Sequence, residues 1–336
     1  MVEEALESPT VVQNQIDNNC ELIENIVQEL HQKNPYSLVS IARGSSDHAA
    51  QYLNFLATHK LGKLTTSLSM STITLYESKL DVSKSVGIAI SQSGQSPDII
   101  RPIEYFNEQN SLSIALVNDT ESPLAKMAKW TLPLLANKEN AVAATKSFIA
   151  SLSASAHLVS EWAQDHEFNR SLFHLPTDLE KAQLLDWTPA ISKLIKSKRI
   201  MVVGRGYGLS LALECALKFK ETCMIQAEAF SAAEIKHGPM ALVEDGYTIL
   251  IFATRGPALH SLLELAYDLK QKGANIILAA PAFVKDKDIE IQSAHTEELD
   301  IICAAQSFYL MIESLSRELG LNPDAPKNLS KVTKTK

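Results

Sequence analysis

The stretch Val86-Gly87-Ile88-Ala89-Ile90-Ser91-Gln92-Ser93-Gly94-Gln95-Ser96-Pro97 decides how this chain is read. Its first five residues form a short apolar run of the kind that fills a buried strand. Pro97 suits the first turn of a helix, where a missing N–H is harmless. Hydroxyls, an amide and a glycine are therefore collected at a strand-to-helix turn. Backbone N–H groups are free at such a turn, and the helix dipole favours an anion there. Ser91, Ser93 and Ser96 add donors without adding charge. A phosphate monoester is the ligand this arrangement suits best; a polar loop ending in an N-cap serine has the same spacing.

Working outward, the same plan occurs twice. Ser40-Ile41-Ala42-Arg43-Gly44 resembles Val202-Val203-Gly204-Arg205-Gly206, a shift of 162 positions (44 to 206). That shift also carries Ile88-Ala89-Ile90 onto Leu250-Ile251-Phe252, Gly94 onto Gly256, and Ser113-Ile114-Ala115-Leu116 onto Asn275-Ile276-Ile277-Leu278. Short apolar runs in register suit buried parallel strands with helices between them. The expected fold class is α/β: two tandem domains of one fold, each a doubly wound parallel sheet flanked by helices, related by duplication.

The expected segments are an N-terminal helical stretch over 1–30, a first domain over 31–175, a second over 190–320 and a C-terminal tail over 321–336. Ile16, Leu22, Ile23, Ile26, Val27 and Leu30 recur at roughly helical spacing between Val11 and Leu30. Helices connecting the halves are expected between His166 and Ser197. Asn322-Pro323, Pro326 and a basic end give the tail its composition. The halves differ at the turn, where Ser91-Gln92-Ser93-Gly94 falls on Ala253-Thr254-Arg255-Gly256. The glycine stays and the serines go. One phosphate site, in the first half, is the simpler expectation.

The bulk numbers exclude several classes. A hydrophobic fraction of 46% and a charged fraction of 21% are ordinary for a soluble globular protein. With 31 Lys+Arg against 39 Asp+Glu, the net charge of −8 argues against non-specific nucleic-acid binding. An anionic ligand must then be held locally, against the global field. Cys20, Cys215, Cys223 and Cys303 lack C-x-x-C spacing, which speaks for reduced thiols in a cytoplasmic protein rather than zinc or a redox pair. The first nine residues lack the zones of a secretory signal, and no apolar run approaches a membrane span.

From Tyr207 to Thr222 the chain reads as a helix opened by Gly206 and apolar nearly all round. Glu214, Lys218 and Glu221 fall at i, i+4 and i+7 and form one stripe. The pattern fits best a solvent strip with a Glu–Lys pair, with a functional line of charge as the alternative. Farther on, Ala233-Glu234-Ile235-Lys236-His237-Gly238-Pro239 ends a helix sharply. His237 falls at the helix end or in the turn beyond. It is either a structural hydrogen-bonder or an acid–base group.

These residues resemble the sugar isomerase (SIS) domain family, and more narrowly the isomerase half of the amidotransferases that make glucosamine 6-phosphate. Arg43-Gly44-Ser45-Ser46, Ser91 to Ser96, Glu214 to Pro239, and Asn328-Leu329-Ser330-Lys331 carry the resemblance from about residue 30 onward. It implies that Ser46, Ser91, Gln92, Ser93 and Ser96 hold a sugar phosphate, with Ser45 and Val142 near the sugar chain. Lys218 joins these as a substrate-side residue. Glu221 matches the carboxylate that moves a proton between C1 and C2. His237 matches a ring-opening histidine supplied by the neighbouring subunit, which implies a homodimer with a shared site. Lys331 matches a lysine able to form an imine with the open ketose, so the tail would fold over the site. Ala144 stands where such synthases carry serine. No metal or redox cofactor is implied. The 336 residues show no amidotransferase domain and no Cys near residue 1. The expected activity is therefore glucosamine-6-phosphate deamination. Deamination or deglycation of another amino sugar phosphate, or a sugar-phosphate sensor without catalysis, are the alternatives.

Overall fold

The apolar run at Val86 lies in a strand, Ser85–Ser91, at the centre of a five-stranded sheet. The computed structural model describes residues 1–331. In the first sheet β1 (Ser37–Ile41), β2 (Leu64–Ser67), β3 (Ser85–Ser91), β4 (Leu112–Val117) and β5 (Trp130–Pro133) lie in the order β2-β1-β3-β4-β5. In the second, β6 (Arg199–Gly204), β7 (Gln226–Ser231), β8 (Thr248–Phe252), β9 (Asn275–Pro281) and β10 (Ile289–Ile291) lie as β7-β6-β8-β9-β10. The two orders are the same, and every pairing is parallel. The 162-residue shift carries Ser37 onto Arg199, the first residues of β1 and β6. The duplicated doubly wound α/β fold read from the sequence is the fold observed.

Strands β4 and β8 are buried along their whole length, as parallel strands covered on both faces must be. Helix Pro97–Glu108 lays Ile99, Ile103 and Phe106 over Val39, Ile41, Ala89, Ala115 and Val117. Each such side chain contributes about 1.5–3 kcal/mol by leaving water. Gly87 is required inside β3, because a Cβ there would lie 2.8 Å from the Phe106 ring. Helix Leu259–Gln271 repeats the arrangement in the second sheet, with Leu262, Leu265 and Leu269 over Met201, Val203, Ile249 and Ile251.

The N-terminal helix runs Ser8–Lys33, longer than its apolar spacing marked, and a five-residue helix, Val2–Leu6, precedes it. Three helices, His166–Leu172, Leu175–Gln183 and Thr188–Leu194, join the halves. Pro176 and Pro189 each sit in a first turn, where proline is tolerated. After helix Asp300–Glu318 the described residues form no further helix or strand. Two compact units result. The first holds Thr10–Glu139, Lys146–Phe173, Ser330 and Lys331; the second holds Met1–Pro9, Asn140–Thr145 and His174–Leu329.

Candidate active site

Strands β1 and β3 are neighbours, yet the chain leaves them in opposite directions, β1 toward β2 and β3 toward β4. A crevice opens at such a reversal, beyond the carboxyl ends of the strands, and open α/β sheets take their ligands there. Both bordering turns carry the serines singled out above. Gly44, at φ +56°, leads into helix Ser45–Leu61, so Ser45 and Ser46 lie in its first turn. Ser91 ends β3, and Ser96 is the N-cap of helix Pro97–Glu108. Two helix N-termini therefore open at the same end of adjacent strands.

The serines shape the turn as well as line it. Ser91 Oγ accepts from the Gly94 N–H at 3.0 Å, and Ser93 Oγ accepts from the Gln95 N–H at 3.4 Å. Each hydroxyl keeps its own proton to donate. Gly94 has φ +61°, and a Cβ there would lie 2.1 Å from Ser122 Oγ. The Gly94 carbonyl accepts from the Leu124 N–H at 3.1 Å. Ser122 itself caps helix Pro123–Met127. Arg43 ties the two turns together, with Nε at 3.0 Å and Nη2 at 2.9 Å from Oδ2 of buried Asp98. The Arg43 charge is thus matched by Asp98, and the serines and backbone N–H groups are the turn's neutral donors.

Lys331 belongs to this first unit. Its Nζ donates to Glu139 Oε2 at 2.9 Å. Glu139 is fully buried and also accepts from the Ser147 N–H at 3.2 Å and the Ser147 hydroxyl at 2.7 Å. The carboxylate thus sits at the N-terminal end of helix Lys146–Trp162, where the dipole favours it.

The second unit carries the charged stripe on helix Gly208–Cys223. Glu214 and Lys218 are buried, and Glu221 keeps about a fifth of its side chain in contact with solvent. Lys218 Nζ lies 3.3 Å from Glu214 Oε1 and donates to Glu221 Oε2 at 2.5 Å. Tyr309, on helix Asp300–Glu318, donates to Glu214 Oε1 at 3.0 Å. The stripe is a buried line of charge rather than a solvent strip. Burial opposes the Lys218 charge, but Glu214 and Glu221 outweigh it and hold the ammonium above the ordinary lysine range. Glu221 is the member of the line that solvent reaches.

His237 is exposed, in the turn between helix Ala232–Ile235 and the 3-10 helix Pro239–Leu242. Its backbone N–H closes on Glu234 O at 2.9 Å. Val142 lies in the second unit, and its N–H donates to Asp324 O at 3.3 Å. Glu4 Oε1 accepts from the adjacent N–H groups of Asn140 and Ala141.

The structure brings Ser45, Ser46, Ser91, Gln92, Ser93 and Ser96 to one end of the first sheet, and it places Lys218, Glu221 and His237 in the second unit. Sequence reading missed Ser122, Glu139 and Tyr309. Glu139 had a signal, as an acidic residue just before the small-residue run Ala141-Val142-Ala143-Ala144. Tyr309 had none, because its contact spans 95 residues of chain. Among the described residues no group of three or more His, Cys, Asp or Glu is placed to hold a metal ion, and no helix is long and apolar enough to cross a membrane.

A duplicated five-stranded parallel fold with a hydroxyl-lined turn at its strand reversal is the architecture of tandem sugar isomerase domains. The sequence profile of the SIS domain matches residues 29–160 and 193–315, and the chain belongs to that family. It is 32% identical over 342 residues to the isomerizing glutamine–fructose-6-phosphate aminotransferase of Sulfolobus acidocaldarius, covering 98% of this chain and 56% of that protein. The chain thus spans about half the length of the curated relatives it matches. A crystal structure from Silicibacter pomeroyi DSS-3, described as a phosphosugar isomerase, superposes with TM-score 0.91 at 35% identity, over 96% of this chain and 99% of that one. Glucosamine-6-phosphate deaminase of Thermotoga maritima, 20% identical, shares the fold with TM-score 0.76 over 99% and 100% of the two chains.

Proposed function

We propose that this chain is a phosphosugar isomerase-type enzyme that deaminates glucosamine 6-phosphate to fructose 6-phosphate. The turn from Ser91 to Ser96, with Ser45 and Ser46, holds the phosphate. His237 opens the hexose ring by moving a proton between the ring oxygen and the C1 hydroxyl. The open aldehyde acidifies the C2 proton. Glu221 removes that proton and returns one to C1, and the C1 oxygen is protonated. The aldehyde thereby becomes an alcohol and the amine at C2 becomes an imine. Water adds at C2, ammonia leaves and the ketose carbonyl remains. Lys331 is an amine that can exchange with the imine before water enters.

The observation that carries this reading is the Glu214–Lys218–Glu221 line of buried charge, which ends in a carboxylate open to solvent. A binding protein needs only the serine turn, whereas an enzyme that moves a proton also needs a carboxylate that solvent reaches, such as Glu221. For this chain assayed by itself at low free ammonia, mass action favours ammonia release over amination.

The test is ammonia release from glucosamine 6-phosphate by the purified chain. Glu221→Gln is expected to lower turnover by roughly 10²–10⁴-fold, the usual worth of a placed general base, while phosphosugar binding is retained. Unchanged turnover removes Glu221 from the mechanism. Binding of fructose 6-phosphate with no ammonia from any amino sugar phosphate assigns a sensor instead.

A further inference from the structure

Arg43 and Arg205 occupy the same position in the two repeats, just past the ends of β1 and β6. Asp98 and His260 also correspond, in the first turns of helices Pro97–Glu108 and Leu259–Gln271. In the first repeat Asp98 pairs with Arg43 at 2.9 Å. In the second repeat an imidazole replaces that carboxylate. Arg205 Nη1 instead donates to the neutral Ser261 hydroxyl at 3.1 Å, and no carboxylate pairs with it among the described residues.

Arg205 borders a cleft of about 690 Å³, together with Lys236, His260, Ser261, Glu264 and Asp268. That volume is within the range of small-molecule sites, roughly 300–1,000 Å³. The cleft lies at the carboxyl end of β6, which neighbours both β7 and β8, so the strand reversal of the second sheet falls there. Lys236 is answered by Asp268 at 3.9 Å and His260 by Glu264 at 3.1 Å. Arg205 is the basic group left without a counter-charge. The Ser261 hydroxyl gives its proton to the Ala258 carbonyl at 2.9 Å, so the Arg205 guanidinium fork is the donor that the cleft offers a dianionic phosphate.

We propose that this cleft binds a phosphate monoester, with the phosphate on the Arg205 guanidinium, as a second site separate from the serine turn. Replacement of the Arg–Asp pair by Arg and His is what opens it. The proposal does not depend on the deaminase reading.

Calorimetric titration with glucose 6-phosphate, and in parallel with inorganic phosphate, tests it. The wild-type chain is expected to show two binding events. His260→Asp rebuilds the first repeat's ion pair and is expected to weaken one event at least about tenfold. Arg205→Gln does the same without adding a carboxylate, and stands in if His260→Asp does not fold. Ser93→Ala weakens the other event and spares this one. A single event in the wild type that Ser93→Ala weakens overturns the proposal, as does a second event untouched by both cleft variants. Binding of inorganic phosphate but not of glucose 6-phosphate overturns the monoester assignment. Absence of ammonia release with the second event intact defeats the deaminase reading and leaves this one standing.

Discussion

Helices Ser45–Leu61 and Gly208–Cys223 occupy the same place in two copies of one fold, and their side chains are of opposite character. Tyr52, Leu56 and His59 in the first copy stand where Glu214, Lys218 and Glu221 stand in the second. Tyr52 and Leu56 are fully buried, so at these positions the first helix closes a core. The turns show the reverse. The first copy keeps Ser91 and Ser93 open at the strand reversal, while the second has Arg255 there, held by Asp300 at 2.6 and 2.8 Å and by the Ala294 carbonyl at 2.6 Å. The Glu297 carboxylate lies within 2.8 Å of where a Cβ on Gly256 would be. The chain's own acidic groups occupy the second turn. The first copy leaves its serine turn open, whereas the second fills the matching turn with its own ion pair and carries buried charge on its helix.

The sharpest way to break this contrast is at the two turn glycines. Gly94→Ala forces a Cβ onto Ser122 in a left-handed conformation. Conformational strain of about 1–3 kcal/mol and overpacking of similar size should follow, with phosphosugar affinity falling at least about a hundredfold. Gly256→Ala, at φ +102°, should lower stability and leave that affinity unchanged. Melting curves and calorimetry on both variants check it; equal loss of affinity in the two would erase the distinction between the turns.

Lys218→Leu installs the residue of the first copy, Leu56. It strands Glu214 and Glu221 and should cost about 3–5 kcal/mol in urea unfolding. The double variant Glu214→Leu/Lys218→Leu should recover part of that loss. A single variant as stable as the parent would mean that the charged line is not a buried unit.

A third test lies in the first unit alone. His157 is buried in helix Lys146–Trp162, and burial pushes its imidazole down from 6.5 to about 4. Between those values the unfolded chain binds a proton that the folded chain refuses. Stability should therefore rise with pH through that window, by at most about 3 kcal/mol, and fall as pH drops through it. His157→Leu should flatten the dependence. A slope unchanged by the substitution would assign it to other groups.

Much of the fold was legible because its signals are local. Apolar runs of strand length, Pro97 in a first turn, and the 162-residue repeat need no knowledge of the remote chain. The serine turn was legible for the same reason, since strand, turn and cap are consecutive. The stripe from Glu214 to Glu221 was visible as a pattern, but its burial was not, because helical spacing gives a face without saying what covers it. Lys331 showed only a basic tail by composition. Its partner Glu139 is 192 residues away, and no periodicity links them.

By itself the sequence determined two copies of a parallel α/β sheet and the position of a serine-lined strand-to-helix turn in the first. Only the tertiary structure decided that Lys218 is a buried cation between two carboxylates, that Glu139 takes Lys331, and that residues 1–9 and 140–145 pack with the second copy. The physical reason is that backbone conformation answers to neighbouring residues, whereas desolvation and charge pairing answer to whatever the rest of the chain brings alongside.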